Sequence, residues 1–308
     1  MTPRERLLAT LRGEIPDCVP VAPDFSNMIP AKRTGKPFWD VYLYNDPPLY
    51  EAYVDCAKFF NIDSIMDGFF SPVFPHEEQA SDTVCEAFLI YEDDERKVTQ
   101  RRFRKDGREW WSPNATVYYR ADPPTWSVPL AKLNLPDVPT AFKPIEGVKA
   151  RDRGPEGFKA IKRRLGDQGI IGIYVASTSV FQTEEQVYEY YDNPDLHEQW
   201  AAERVRAMEK RFDAVMSLEE KPDFLCVGGS GSFVMQTEEM FRTVAYPAVK
   251  RAIELAHEAG MMTHIHCCGP ERRLVEIMAT ETNLTIIDPL EIPPMGDCHL
   301  ADLKARFG

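Results

Sequence analysis

A chain of 308 residues, 44% hydrophobic and 28% charged, can bury one large core or two small ones, and its formal charge of −13 argues against nucleic acid as a partner. No apolar run approaches the ~20 residues of a membrane span, and Met1-Thr2-Pro3-Arg4-Glu5 is not a signal peptide, so a cytoplasmic protein is expected. Seven cysteines with no C-x-x-C pair argue against a disulfide framework. Cys18, Cys56, Cys85 and Cys226 lie in apolar patterns and are expected in the core.

Thr2-Pro3-Arg4-Glu5 reads as a capping box with proline at the first helical position, which predicts a helix to about Arg12, ending near Gly13. Asp17 to Pro23 (DCVPVAP) predicts a short strand, followed by Asp24, Asn27, Lys32 and Arg33. Leu49 to Phe60 has helical spacing, and Ile62 to Phe70 predicts a second strand whose end presents Asp67. Residues 76–150 change the rhythm. Ala87 to Tyr91, Lys97 to Phe103 and Ala115 to Tyr119 are β-rich runs separated by Asp93-Asp94 and Asp106-Gly107, which read as hairpin turns. The segment is expected to be a β-rich insertion over the mouth of the main domain, with a small separate domain as the alternative and with Trp110, Trp111 and Trp126 as apolar cover.

Helix and strand then alternate. Helices are predicted over Pro155 to Leu165, Asp195 to Met216, Glu238 to Ala259, Glu271 to Ala279 and Leu300 to Arg306, and strands over Ile170 to Ala176, Pro222 to Val227, Met261 to Cys268 and Leu284 to Ile287. With the two earlier strands this makes six, and an eight-stranded (β/α) barrel is the closure such a series predicts. Two strands are lacking, and a final helix capped by Gly308 gives the expectation of a barrel truncated at its C-terminus.

The stretch Thr263-His264-Ile265-His266-Cys267-Cys268-Gly269 carries the strongest chemical signal. In a strand, the period of two sends His264, His266 and Cys268 to one face. Imidazole nitrogen and thiolate are zinc ligands, and the carboxyl end of a strand in a βα series is where active sites are built. The glycine-rich stretch Gly228-Gly229-Ser230-Gly231-Ser232 is not G-x-G-x-x-G and lacks the lysine of a P-loop; it reads as a tight strand-to-helix turn, or as bare backbone open to a ligand.

Four separated segments, TPRERLLATLRGEIPDCVP at Thr2 to Pro20, the glycine-rich turn, the H-x-C-G of His266 to Gly269, and Asp288-Pro289-Leu290-Glu291 on to Gly308, together resemble the uroporphyrinogen decarboxylase superfamily. The resemblance implies a single (β/α)8 barrel domain over 1–308. One branch of that superfamily decarboxylates the acetate side chains of uroporphyrinogen without metal. The other moves methyl groups between a corrinoid protein and a thiol, using zinc held by H-x-C and a later cysteine. Decarboxylases carry R-Q-A-G-R after the first strand, whereas this chain reads DFSNMIPAKR over Asp24 to Arg33. The resemblance therefore implies a methyltransferase, with a porphyrin-pathway carboxy-lyase as the alternative and a non-catalytic corrinoid-binding homologue as a third reading.

Zinc ligand roles fall by this resemblance on His266 and Cys268, with Glu291 or Cys298 in place of the later cysteine. His264 is expected to orient a ligand or to pair with Asp288. Asp67 matches the decarboxylase carboxylate in strand position and is expected to line the pocket, and Gly229, Ser230 and Ser232 are expected to meet substrate or corrinoid. The implied partners are a corrinoid protein and a small thiol, with a homodimer possible and neither nucleic acid nor membrane expected.

Overall fold

The computed structural model describes the whole chain except residues 26–27, 67–73, 75–81, 153, 182, 230 and 235. Helix α1 (Pro3–Leu11) begins as its capping box requires, the Thr2 hydroxyl accepting from Glu5 N–H and the Glu5 carboxylate accepting from Thr2 N–H. Helices α2 (Met28–Arg33), α3 (Phe38–Tyr42) and α4 (Leu49–Phe60) follow, then strand β1 (Ser64–Met66). Next come β2 (Val84–Glu92), β3 (Arg96–Lys105), β4 (Arg108–Tyr119), β5 (Thr125–Pro129) and β6 (Lys143–Pro144). Alternation resumes with α5 (Gly154–Leu165), β7 (Gly169–Tyr174), α6 (Glu184–Asp192), α7 (His197–Met216), β8 (Phe224–Gly228), α8 (Glu238–Met240), α9 (Tyr246–Glu258), β9 (Met262–His266), α10 (Arg272–Glu281), β10 (Ile286–Asp288) and α11 (Leu300–Phe307).

Two compact units divide the chain, one of Met1–Val19, Ile65–Pro72 and Gly169–Gly308, the other of Pro20–Ser64 and Val73–Gln168. In the first, five strands form a parallel sheet in the order β1-β7-β8-β9-β10, curled into a half-barrel. β8 is buried along its whole length and β7 at all but Tyr174, as expected of parallel strands covered on both faces. Arg4 of α1 pairs with Asp223 just before β8 and donates to Gly169 O at 3.2 Å, while Asp223 also accepts from Ile171 N–H at 2.9 Å. That knot ties the first helix to the amino ends of β7 and β8.

The sheet has one strand fewer than the sequence predicts, because Asp17 to Pro23 is irregular. Pro20 and Pro23 have no N–H to give a ladder, and in place of one the segment has an exchange at Val21, whose N–H reaches the Asp63 carboxylate at 2.7 Å and whose carbonyl accepts from Asp63 N–H at 2.9 Å. Val19 and Val21 are exposed. Of the strand predicted over Ile62 to Phe70, only Ser64–Met66 is strand among the described residues. The single helix predicted over Glu238 to Ala259 is helical without interruption from Glu238 to Glu258 and contains a π-turn at Phe241–Ala245. Pro247, near the start of α9, cannot donate into the preceding turn, and the backbone widens there.

Gly172 shows why β7 needs a glycine. It is the register partner of Phe224, and a Cβ built on it would lie 2.3 Å from Phe224 Cε2. Gly172→Ala is therefore expected to cost about 1–3 kcal/mol, read as a lower urea midpoint at unchanged slope.

The second unit holds the insertion, an antiparallel sheet in the order β5-β4-β3-β2-β6. Its hairpin turn at Asp106-Gly107 has both residues at positive φ (50° and 74°), the geometry that favours Asp-Gly there. Val98, Ala115, Val117 and Leu130 form its core. Trp111 packs against Phe88 and Phe142, whereas Trp110 and Trp126 are exposed. Of the four cysteines expected in the core, Cys56 and Cys226 are buried but Cys18 and Cys85 are exposed. Cys18 lies on the irregular segment after α1, and Cys85 near the uncovered start of β2. Among the described residues, no helix is long and apolar enough to cross a membrane.

Candidate active site at the ends of β9 and β10

α9 stops at Gly260, which takes a positive φ of 68°, and the chain turns directly into β9 between β8 and β10. The parallel register sets Ile286 opposite His264 and Asp288 opposite His266. β9 ends at His266, two residues short of the strand predicted to Cys268; within it His264 and His266 both reach Asp288, Cys268 past its end lies against His266, and Ile265 and Cys267 are fully buried.

Asp288 sits between the two imidazoles. Its Oδ2 lies 3.1 Å from His264 Nε2 and its Oδ1 3.0 Å from His266 Nδ1. A carboxylate only accepts, so both ring nitrogens facing it carry hydrogens, which in a neutral ring leaves His266 Nε2 as an acceptor. Cys268 Sγ lies 3.0 Å from that nitrogen. Carboxylate, imidazole and thiol thus form one chain of contacts. Burial alone would push the Asp288 carboxyl up, but hydrogen bonds from His264 and His266 hold it well below the usual carboxylate range. His264 is fully buried with Phe224 edge-on at 5.4 Å between centroids, while His266 is partly open to solvent.

Glu291, three residues past β10, turns its carboxylate onto Gly269 N–H at the end of the H-x-C-G run. Cys267 N–H donates to Asp288 O, so the ends of β9 and β10 are bonded through backbone as well as side chains. Gly269 has φ 96°, and a Cβ there would lie 2.8 Å from Val234 Cγ2, so the turn needs a glycine. Cys298, the other proposed substitute ligand, is fully buried against Val275 and Leu303.

The glycine-rich turn after β8 has an internal role. Gly228 is pressed against Thr178, whose Cγ2 would lie 2.5 Å from an added Cβ. Ser232 is fully buried, with its hydroxyl 2.6 Å from Thr178 Oγ1, and Thr178 Oγ1 in turn receives Gly229 N–H at 3.2 Å. Ser232 therefore fastens the β7 and β8 loops together, whereas a Cβ on Gly229 would meet open space. Ser230 and Asp67 lie outside the described residues.

Sequence reasoning missed Glu271. It precedes α10 and reads as an ordinary acidic helix start, yet it is fully buried: one carboxylate oxygen accepts from Phe233 N–H at 2.9 Å, and the other has no partner among the described residues. Burial, reinforced by Asp297, raises its pKa to about 6, and burial also pushes the Cys267 and Cys298 thiols up. A raised acid pKa means the native state holds a proton that the unfolded chain releases earlier, so stability should fall as pH rises from about 4.5 to about 6. Urea unfolding across that window should show the decline in the parent and a flatter profile in Glu271→Gln. Equal slopes would show that Glu271 is not its source.

In kind, the donors fit zinc: an imidazole nitrogen and a thiol sulfur converge, and a carboxylate stands on the other ring nitrogen. Among the described residues, no group of three or more His, Cys, Asp and Glu is assembled to hold a metal ion, so only two donors converge. The chain matches no family model, no curated protein and no solved structure.

Proposed function

We propose that the protein is a zinc-dependent methyltransferase that moves a methyl group between a corrinoid protein and a thiol acceptor, its half-barrel being part of a (β/α)8 barrel of the uroporphyrinogen decarboxylase type. The observation that carries this reading is the run Asp288 Oδ1, His266 Nδ1, His266 Nε2 and Cys268 Sγ, with contacts of 3.0 Å at each step, at the carboxyl end of a parallel strand. His266 and Cys268 would hold the metal, with Glu291 the carboxylate assigned to complete the set. Zinc in that position supplies a thiolate at neutral pH, where a free thiol of pKa ~8.5 is mostly protonated. Asp288 fixes the tautomer of His266 and makes its Nε2 a better donor to metal. His264 holds the second oxygen of Asp288, so the carboxylate keeps its orientation. Nothing comparable supports the carboxy-lyase alternative: Arg33, in the segment where decarboxylases carry their arginines, lies over the Phe59 ring at 3.6 Å.

The 3.0 Å contact also favours a second reading, in which Cys268 is itself a nucleophile, its thiol proton passing to His266 while Asp288 orients the ring. One experiment separates the two. Metal content and thiol methylation from a methylated corrinoid are measured before and after chelation. Zinc near one equivalent with chelator-sensitive activity supports the first reading; an active, metal-free protein sinks it.

A further inference from the structure

Independently of the β9–β10 site, we infer that one face of the sheet end formed by β2, β3 and β4 docks a partner protein, gripping an acidic segment that carries an aromatic or aliphatic side chain. Cross-strand register builds this surface. Cys85, Phe103 and Trp110 stand in one row across the three strands, Ala87 stands beside Arg101, and Lys105 stands opposite Arg108 at the Asp106-Gly107 turn. Alternation along β3 sends Arg101, Phe103 and Lys105 to the same side. The Phe103 and Trp110 rings are stacked, 5.6 Å apart and 16° from parallel. Trp110 is 44% exposed, and Arg101, Lys105 and Arg108 are exposed around it.

The two faces of this sheet end treat their cations differently. On the far face Arg102 and Arg104 share the Glu86 carboxylate at 3.1 and 2.7 Å, and Arg102 also lies over the Phe88 ring. On the Trp110 face, Arg101, Lys105 and Arg108 are in no ion pair among the described residues, and Asp106 sits on the turn without pairing with either neighbour. Like charges directly opposite each other in an antiparallel pair are destabilising, yet Lys105 faces Arg108 in a chain with 49 acidic and 36 basic residues. An arriving carboxylate relieves that repulsion. Tryptophan and arginine are also the side chains that dominate protein–protein contacts once a partner covers them. The formal charge of −13 repels extended polyanions such as nucleic acid or an anionic membrane, whereas a short acidic segment, screened beyond ~10 Å in 0.1 M salt, meets chiefly these cations. Charge complementarity therefore selects a protein segment as the occupant.

Fluorescence anisotropy of a labelled peptide, Asp-Glu-Phe-Asp-Glu-Leu-Asp-Glu, titrated with the full chain at low ionic strength tests this. Saturable binding is expected, weakened about tenfold or more when Arg101→Gln, Lys105→Gln and Arg108→Gln are combined and again in Trp110→Ala. It should be unchanged in Arg104→Gln, on the far face, and in Cys268→Ala, at the β9–β10 site. Lys105→Gln alone is expected to raise the urea midpoint of the free protein by removing the like-charge pair, and a lowered midpoint counts against the inference. Four results overturn it: no saturable binding; peptide binding that the variants retain at full strength; tighter binding of oligothymidylate or phosphatidylserine vesicles through the same residues; or self-association of the protein that the same variants abolish.

Discussion

Replacing Cys268 or His266 by alanine is expected to strip zinc from the protein and abolish thiol methylation, and Asp288→Asn is expected to weaken zinc binding about 10–100-fold without unfolding the chain. The difference follows from position. His266 Nε2 and Cys268 Sγ face each other at 3.0 Å and are the donors proposed for zinc, whereas Asp288 would act through the far nitrogen of the same ring. Asparagine at 288 can present an amide N–H where the carboxylate accepted one, which favours the other tautomer of His266 and turns its Nε2 from acceptor to donor. Zinc affinity measured against a colorimetric chelator, with circular dichroism as the check on folding, distinguishes these outcomes. Cys268→Ala binding zinc as tightly as the parent would remove that sulfur from the ligand set.

Phe224→Ala is expected to cost about 3–5 kcal/mol of stability, among the largest losses available to one substitution in the first unit. The ring is fully buried, it fills the space over Gly172, and its edge-on contact with His264 backs the imidazole that holds Asp288. Truncation leaves a cavity on the side of β8 that faces both β7 and β9. A fall in the urea midpoint should therefore be accompanied by weaker zinc binding in the folded fraction. Loss of stability with unchanged metal affinity would show that Phe224 supports the sheet but not His264.

The αβ alternation and the hairpins of the insertion were legible because they rest on local chemistry: the Thr2-Glu5 capping box, the Asp106-Gly107 turn and continuous apolar runs such as FLCV. The shared face of His264 and His266 was legible for the same reason, since a strand's period is fixed, whereas Cys268 lies two residues past the end of β9. Asp288 was named as a partner of His264, but its bond to His266 depends on a register between β9 and β10 that sequence does not encode locally. Glu271 was invisible because an acidic residue before a helix is ordinarily solvated, and only the fold buries it. The false strand at Asp17 to Pro23 had the right valines, but two of its residues cannot donate to a ladder.

The loop after β10 closes on itself: Cys298 N–H donates to Glu291 O at 2.9 Å and Gly296 N–H to Ile292 O at 3.1 Å, while the Glu291 side chain is bound to Gly269. Ordering a residue's backbone costs about 1–2 kcal/mol, and for this loop that cost is met when the chain folds, not when a ligand arrives. Binding at the β9–β10 site should then proceed with little loss of conformational entropy, and amide exchange in the loop should be slow before any ligand is added.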